Sequence, residues 1–465
     1  MLKIFHTYFP IRNIFFVLGE GILIYLSLAI AVLLRHHWEG PKCECVDFVL
    51  IKILAVTIVC QISLYYHELY EIKLSQKKLV DLSVRIIQAL GTAFIVLAGI
   101  YYIYPPLILG KGIFIIALFL LILCIVSWRF LYQLILKRHF FSESLLLVGS
   151  GSLASLISEE IASNFDSGYK LAGIVDNPGH SDLAKQLGIN RYTDYKQICS
   201  IAQQEGIQKI VVALDERRGN FPADILLDCK MKGLTILDGV AFYASLTGKI
   251  LANQTNPSWL IFSDGFRRFK VTLWSKRIID IIFAVLGLVV SLPLMILIAI
   301  AIKTTSRGPI FFKQPRVGQW EKPITIIKFR TMREDAEAAT GPVWAQKNDQ
   351  RITKAGKVLR TTRLDELPQF WNILKGDMSF VGPRPERPIF VKQLKAKIPY
   401  YAERHSVKPG LTGWAQISYP YGATEKDALE KLEYDLFYIK HFSILMDLLI
   451  VIKTIKIVIL GKGAR

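Results

Sequence analysis

Four long apolar stretches, Ile14–Leu34, Val46–Tyr66, Val84–Tyr104 and Ile113–Leu136, decide the environment in which this chain must fold. Each has the roughly 20 residues that a helix needs to cross a hydrocarbon core about 30 Å thick. Four runs of this length are not the pattern of helices buried in a water-soluble core. The chain is 465 residues long and 52% hydrophobic, which leaves room for one or two further domains beyond a membrane bundle.

The charges between these stretches set an orientation. Lys3 and Arg12 precede the first. Lys73, Lys77 and Lys78 lie between the second and third, Arg85 sits at the start of the third, and Lys137 and Arg138 follow the fourth. Positive loops stay in the cytoplasm, so the N-terminus and everything after residue 137 are expected there. Arg129 lies close enough to the cytoplasmic end of its stretch to snorkel to the interface. The net charge of +19 brings no nucleic-acid motif with it, and basic residues beside apolar segments point instead to anionic headgroups. The first stretch runs on to Leu34 without a small-residue cleavage site, unlike a cleaved signal. The six cysteines, Cys43 and Cys45 among them, imply neither a disulfide framework nor a structural metal.

A fifth apolar segment, Ile278–Ile302, is also long enough to span. Lys276 and Arg277 precede it, while Lys303, Arg307, Lys313 and Arg316 follow, so both flanks prefer the same side. Ser291-Leu-Pro293 lies at its middle, where proline removes one helical hydrogen bond. The Ser291 hydroxyl can satisfy a freed carbonyl. The expectation is a re-entrant helix-break-helix over residues 278–302 that enters and leaves by one face, with a kinked crossing as the alternative, since spanning helices tolerate proline. The stretch from Phe442 to Leu460, interrupted by Asp447, Lys453 and Lys456, reads as an interfacial amphipathic helix.

Between residues 143 and 262 strands and helices alternate, with strands expected at Leu145–Val148, Leu171–Val175, Lys209–Ala213 and Leu234–Leu237. Gly149-Ser-Gly151 follows the first strand and Asp176 closes the second, the pattern of a dinucleotide turn with its ribose-binding acid. Such a pattern specifies a fold better than it specifies a ligand.

The chemistry is concentrated in Thr361-Thr-Arg-Leu-Asp365-Glu366-Leu-Pro368. Asp365 reads as the N-cap of a short helix, with Pro368 in its first turn. A helix start favours phosphate oxygens. Two adjacent carboxylates repel unless a cation or proton lies between them. Mg²⁺, which binds through one or two carboxylates plus substrate phosphates, resolves that conflict; the bland alternative is a capped surface helix with two solvated acids.

From about Trp274 to Arg465 the chain resembles the bacterial sugar transferase family, the monotopic phosphoglycosyl transferases. The resemblance is carried by Lys328-Phe-Arg330-Thr-Met, Leu364-Asp-Glu-Leu-Pro-Gln, Gly376-Asp-Met-Ser, Gly382-Pro-Arg384-Pro and Lys408-Pro-Gly-Leu-Thr-Gly-Trp-Ala-Gln416. The ending Asp435-Leu-Phe-Tyr-Ile-Lys-His441 and Gly461-Lys-Gly-Ala-Arg465 is similar to the subgroup accompanying exosortase-type exopolysaccharide systems, while Arg363 stands where many members have a small polar residue. The resemblance implies a multi-pass protein of the bacterial inner membrane with three parts. These are a four-helix transmembrane domain (1–140), a Rossmann-like, CoA-binding-type α/β module (141–265) and a cytoplasmic α/β catalytic domain (270–465) anchored by the re-entrant helix. It also implies transfer of a hexose-1-phosphate from a UDP-sugar to undecaprenyl phosphate, through an aspartyl-phosphosugar on Asp365, with Glu366 as metal partner or acid–base helper. On the residues alone the two carboxylates rank equally.

Around them, Arg360 can clamp a phosphate bidentately, and Arg384 is held between two prolines with little freedom. Lys328 and Arg330 alternate as on a strand and should share a face toward headgroups or nucleotide. Gly410 and Gly413 read as structural glycines, and His405 as a bystander. The exposed Rossmann-like module fits a homodimer. Two other functions fit parts of the chain less well. A membrane-bound nucleotide-sugar dehydratase would need a second glycine-rich turn with a Tyr-x-x-x-Lys pair behind it; Tyr192 and Lys196 come too early. A non-catalytic membrane sensor or scaffold leaves the Asp-Glu, Lys-Phe-Arg and Pro-Arg-Pro set unexplained.

Overall fold

The computed structural model describes residues 2–4, 7–9, 11–39, 46–70, 79–109, 113–137, 142–163, 168–176, 183–215, 221–333, 351–420, 422 and 424–459. Lys73, Lys77, Lys78, Arg138, the Cys43 and Cys45 pair and the ending Gly461–Arg465 lie outside the described residues. The chain divides into two compact units, one of residues 1–4 and 8–239, the other of 5–7 and 240–465. The apolar stretches form α1 (Ile11–Glu39), α2 (Val46–Tyr66), α3 (Leu79–Ile103) and α4 (Ile113–Lys137). On α1, Phe15, Leu18, Ile22, Leu26, Ile30 and Leu33 recur at helical spacing and are 46–68% exposed, a lipid-facing stripe. Ile24, Leu28 and Ala31 turn inward onto Ile53, Leu64, Ala93 and Ile125. This is the construction of a membrane protein.

Arg129 departs from expectation. It is buried rather than snorkelling, with Nη2 2.7 Å from Glu20 Oε1 and Nη1 donating to Leu69 O at 2.7 Å. A guanidinium inside a bundle needs a counter-charge, and Glu20, a single acid within an apolar run, supplies it. Gly19 makes room beside it, since a Cβ there would lie 2.5 Å from the Trp128 ring.

The middle module is a five-stranded parallel sheet: β1 (Glu143–Val148), β2 (Tyr169–Val175), β3 (Asn190–Tyr192), β4 (Lys209–Val212) and β5 (Thr235–Asp238), in the order β3-β2-β1-β4-β5. That is the Rossmann order, which switches direction between β1 and β4. Leu145, Leu146, Leu147 and Val148 are all fully buried, because helices cover both faces of a parallel sheet. The helices are α5 (Ser152–Ser163), α6 (Leu183–Leu187), α7 (Ile198–Gln204) and α8 (Ala223–Met231). β3 was not legible in the sequence, being too short to show a period. Cys199 of α7 and Cys229 of α8 form a disulfide, which corrects the expectation of none. Their Cα atoms come within 5.4 Å although 30 residues separate them, a proximity only the packing of the two helices creates.

After α9 (Gly239–Thr247), the second unit continues through α10 (Pro257–Phe262) into α11 (Lys270–Thr305). α11 is one continuous helix with Pro293 inside it, so the expected helix-break-helix is not seen. The Ser291 hydroxyl donates to Gly287 O at 2.6 Å, not to the Val289 carbonyl that the proline leaves without a donor. Then come the antiparallel hairpin β6 (Phe311–Val317) and β7 (Pro323–Phe329), α12 (Lys354–Thr362) and α13 (Gln369–Lys375). They are followed by β8 (Ser379–Val381), α14 (Pro388–Lys397) and β9 (Gly410–Thr412), parallel to β8, and by α15 (Trp414–Ser418), α16 (Glu425–Lys440) and α17 (Ile444–Ile459).

Both ends of α11 pack on this domain. Ala284 meets Ile373 and Met378, while Ile298 and Ile302 meet Phe329 and Leu359. Gly287 lets Phe370 approach, since a Cβ there would lie 2.8 Å from the ring. In α17 the polar side faces inward, Asp447 reaching Lys276 and Thr454 reaching Thr412, while Leu445, Leu448, Ile452, Ile455 and Val458 are exposed.

Candidate active site

The Asp365-Glu366 pair does not begin a helix as the sequence suggested. α12 starts at Thr353, whose hydroxyl accepts from Gly356 N, and ends at Arg363 in the left-handed region at φ 57°. A 3₁₀ turn, Leu364–Glu366, then carries the two acids, and α13 begins only at Gln369 with Pro368 as its cap. Asp365 is therefore no N-cap. The positive φ at a non-glycine residue is a local strain, and it turns the chain so that both acids face the β6–β7 hairpin.

Asn372, 1% exposed, fixes that turn against the hairpin. Its Oδ1 accepts from Ile327 N at 3.0 Å and its Nδ2 donates to Thr325 O at 2.7 Å. An amide that satisfies a strand edge this way locks α13 to β7 and brings Lys328 opposite Glu366. The Lys328 ammonium is 2.6 Å from Glu366 Oε1, and Arg384 Nη2 reaches the same oxygen at 2.7 Å. The Arg384 loop is held in turn from behind. Arg404 Nη2 donates to Arg384 O at 3.1 Å and pairs with Asp435 at 2.9 Å, its Nη1 donates to Tyr401 Oη at 2.7 Å, and Arg316 reaches Pro385 O at 3.2 Å.

The two carboxylates are thus not equivalent. Burial would raise the Glu366 carboxyl, but Arg384 and Lys328 more than offset it and hold it well below the usual range. Asp365 is pushed the other way, chiefly by burial, with Glu366 adding to the rise and Lys328 opposing it. Among the described residues the Asp365 carboxylate accepts no hydrogen bond. Glu366 is a fixed anion that organises two cations, whereas Asp365 is a buried carboxylate that accepts no hydrogen bond from the described residues. Burial likewise lowers the Lys328 ammonium.

Of the basic residues singled out, Lys328 and Arg384 converge on the pair, and Arg360 lies near enough to act electrostatically on Asp365 while its Nε donates to Thr331 Oγ1 at 2.9 Å. Arg330 does not join them. β7 ends at Phe329, so the alternation that would align it with Lys328 stops, and its guanidinium donates to Arg307 O at 2.6 Å and Ser306 O at 3.0 Å. It anchors the end of α11. Gly410 and Gly413 are structural, because a Cβ at either would strike the Gly382 backbone. His405 is buried and held down to about 4 by burial and the Arg404 charge, which leaves it neutral and off the site.

Asn372 and Arg404 are positioning residues that the motif reading passed over. Their signal was a polar residue inside apolar Trp371-Asn-Ile-Leu374 and a charged one amid Tyr401-Ala-Glu-Arg-His405. Among the described residues, no group of three or more His, Cys, Asp or Glu side chains could cage a metal. Glu366 Oε1 is already taken by two cations. The donor set therefore fits an ion that takes most of its ligands from phosphate and water, with Asp365 as the protein's unengaged oxygen donor.

Comparison with known proteins adds to this geometry. The bacterial sugar transferase family matches residues 271–461, and a CoA-binding domain family matches residues 67–230. A UDP-N-acetylgalactosamine-undecaprenyl-phosphate N-acetylgalactosaminephosphotransferase of Aeromonas hydrophila is 48% identical over 190 residues, 41% of this chain and 45% of that protein. An undecaprenyl-phosphate glucose phosphotransferase of Komagataeibacter xylinus is 30% identical over 339 residues, 70% of this chain and 60% of that protein. Exopolysaccharide production protein PSS of Rhizobium leguminosarum bv. phaseoli is 40% identical over 39% of this chain and 92% of its own length. The match thus spans less than half of the Aeromonas protein and nearly all of the Rhizobium one.

Proposed function

The chain belongs to the bacterial sugar transferase family, and from that premise we propose that it transfers a hexose-1-phosphate from a UDP-sugar to undecaprenyl phosphate, releasing UMP. The observation that carries this reading is the buried Asp365 carboxylate, which accepts no hydrogen bond from the described residues, beside a Glu366 that holds Lys328 and Arg384 in place. An Asp365 oxygen attacks the sugar-bearing phosphorus. The bond from that phosphorus to the bridging oxygen breaks, and UMP departs with the electron pair. An undecaprenyl phosphate oxygen then attacks the same phosphorus, the aspartyl–phosphorus bond breaks, and the carboxylate is regenerated with undecaprenyl-diphosphate-sugar as product.

Lys328 and Arg384, poised on Glu366 before substrate arrives, stabilise the charge that develops on the transferring phosphoryl group. Arg360 serves the diphosphate from the neighbouring helix. Mg²⁺, held by Asp365 and diphosphate oxygens, would supply further neutralisation of that charge. Such a step begins the membrane phase of exopolysaccharide or glycoconjugate synthesis.

The lipid acceptor requires the site to lie where cytosol meets membrane, so α11 is assigned as re-entrant, with the catalytic domain on the cytoplasmic face of the inner membrane. What supports this is that each end of α11 is tied to the same domain. Arg277 donates to Ile373 O at 2.6 Å and to Leu374 O at 2.7 Å, and Arg330 holds Ser306 and Arg307 at the other end. The residues between them, Val285, Leu286, Val289, Val290 and Leu297, are 46–71% exposed and apolar. Pro293 lies between the two tied ends, where a bend would return the chain to the face it entered.

Membranes containing the protein, given radiolabelled UDP-sugar and undecaprenyl phosphate, should yield labelled lipid and free UMP, and Asp365→Asn should yield neither. Full turnover by that variant would overturn the assignment. Cysteines introduced at Ser275 and Ser306 should both react with an impermeant maleimide from the cytoplasmic side; reaction from opposite sides would refute re-entry.

A further inference from the structure

The middle module has the fold of a nucleotide-binding domain and matches a CoA-binding family, yet its ligand cradle does not fit such a ligand. In this fold the diphosphate lies at the start of the first helix, on backbone N–H groups, where the second glycine of the turn lets it approach. Here Gly149 does make the tight turn, at φ +110°, with Ala213 O only 2.6 Å from where a Cβ would be. Gly151, however, faces the carboxylate of Asp215, which a Cβ would strike. Asp215 Oδ2 accepts from Ser152 N at 2.8 Å and from Ser152 Oγ at 3.0 Å, and Oδ1 accepts from Leu153 N at 3.3 Å. Asp176, expected to bind ribose, is 4% exposed and accepts from the Ser150 hydroxyl of the same turn.

We infer that the phosphate cradle of the middle module is filled from within by the Asp215 carboxylate, so that the module binds neither coenzyme A nor a nucleoside diphosphate and serves as a closed scaffold. Asp215 follows β4 by three residues, at the switch point between β1 and β4 where a ligand of this fold would lie. The carboxylate is already favoured by the helix start, and being part of the chain it has no association entropy to overcome. A diphosphate would have to displace it and then meet its negative charge a few ångströms away.

Amide hydrogen exchange on the purified full chain in nanodiscs tests this, since it reads the turn itself and ignores nucleotide bound at the catalytic domain. Ser152 and Leu153 should exchange slowly without ligand, and millimolar coenzyme A or ADP should leave them unchanged. Asp215→Ala should speed their exchange by about tenfold, and Asp215→Asn, which keeps one acceptor oxygen, should fall between. Slower exchange of the wild-type turn on adding either ligand would overturn the inference, as would unchanged exchange in Asp215→Ala. The ligand arm uses only the native protein and stands even if a variant fails to fold.

Discussion

Two acid-bearing turns at helix starts, Asp365-Glu366 before α13 and the Gly149–Gly151 turn with Asp215 and Asp176 before α5, use the same materials for opposite ends. Around Gly149–Gly151 both acids are consumed locally: Asp215 takes two backbone amides and Asp176 takes the Ser150 hydroxyl. Before α13, one acid pairs directly with two cations, while its neighbour feels their charge but accepts no hydrogen bond from the described residues. A scaffold satisfies its buried polar groups. A reactive site retains one that is not satisfied and places charge around it. The difference separates the proposed nucleophile from a cap even though both are aspartates.

The contrast breaks first at Asp365. Replacement by Asn should reduce turnover about a thousandfold or more, read as UMP release, because no other described carboxylate occupies that position. Trapping with labelled UDP-sugar should label wild-type protein and not this variant. The acid limb of the rate profile sharpens the same point. With the ionised Asp365 carboxylate as the proposed nucleophile and its pKa raised by burial, activity should fall on acidification at a pH above the ordinary aspartate range, while Glu366 is still charged. An acid limb at or below that range would contradict the asymmetry.

Glu366→Gln comes next. Lys328 and Arg384 would lose the charge that holds them, and kcat should drop about 10²–10³-fold with a smaller change in KM. Asn372→Ala leaves Ile327 N and Thr325 O without partners and should cost roughly 1–3 kcal/mol in thermal unfolding of the catalytic domain, with a loss of kcat that follows the loosened turn. The smallest effect belongs to Asp215→Ala, expected to cost about 1 kcal/mol of stability as the loss of a helix cap, with turnover unchanged. If it lowered turnover as Glu366→Gln does, the division between reactive turn and scaffold turn would fail.

Much of this was legible from local pattern. The transmembrane helices follow from apolar length, and β1, β2, β4 and β5 from short apolar runs bounded by glycine and polar residues. Lys328, Arg384 and the acid pair could be picked out because their residue types suit phosphate chemistry. Most of the misreadings share one cause. Arg330 beside Lys328, Arg129 at the interface and the absence of a disulfide all depended on a partner distant in sequence, whereas Asp365 as N-cap failed locally, at the left-handed Arg363. Arg330 turns to Ser306 and Arg307, Arg129 to Glu20 109 residues away, and Cys199 to Cys229. β3, three residues long, has no period to detect.

By itself the sequence determined that the chain enters a membrane, carries an α/β module and places two acids among basic residues, because hydrophobic length, periodicity and residue type are properties of neighbours along the chain. Only the tertiary structure decided which acid pairs with the two cations. That choice rests on Asn372 joining α13 to β7, which delivers Lys328 to Glu366, and on Arg404 holding the Arg384 carbonyl. Charges act through space, and which of them lie within a few ångströms is settled by folding rather than by order in the chain.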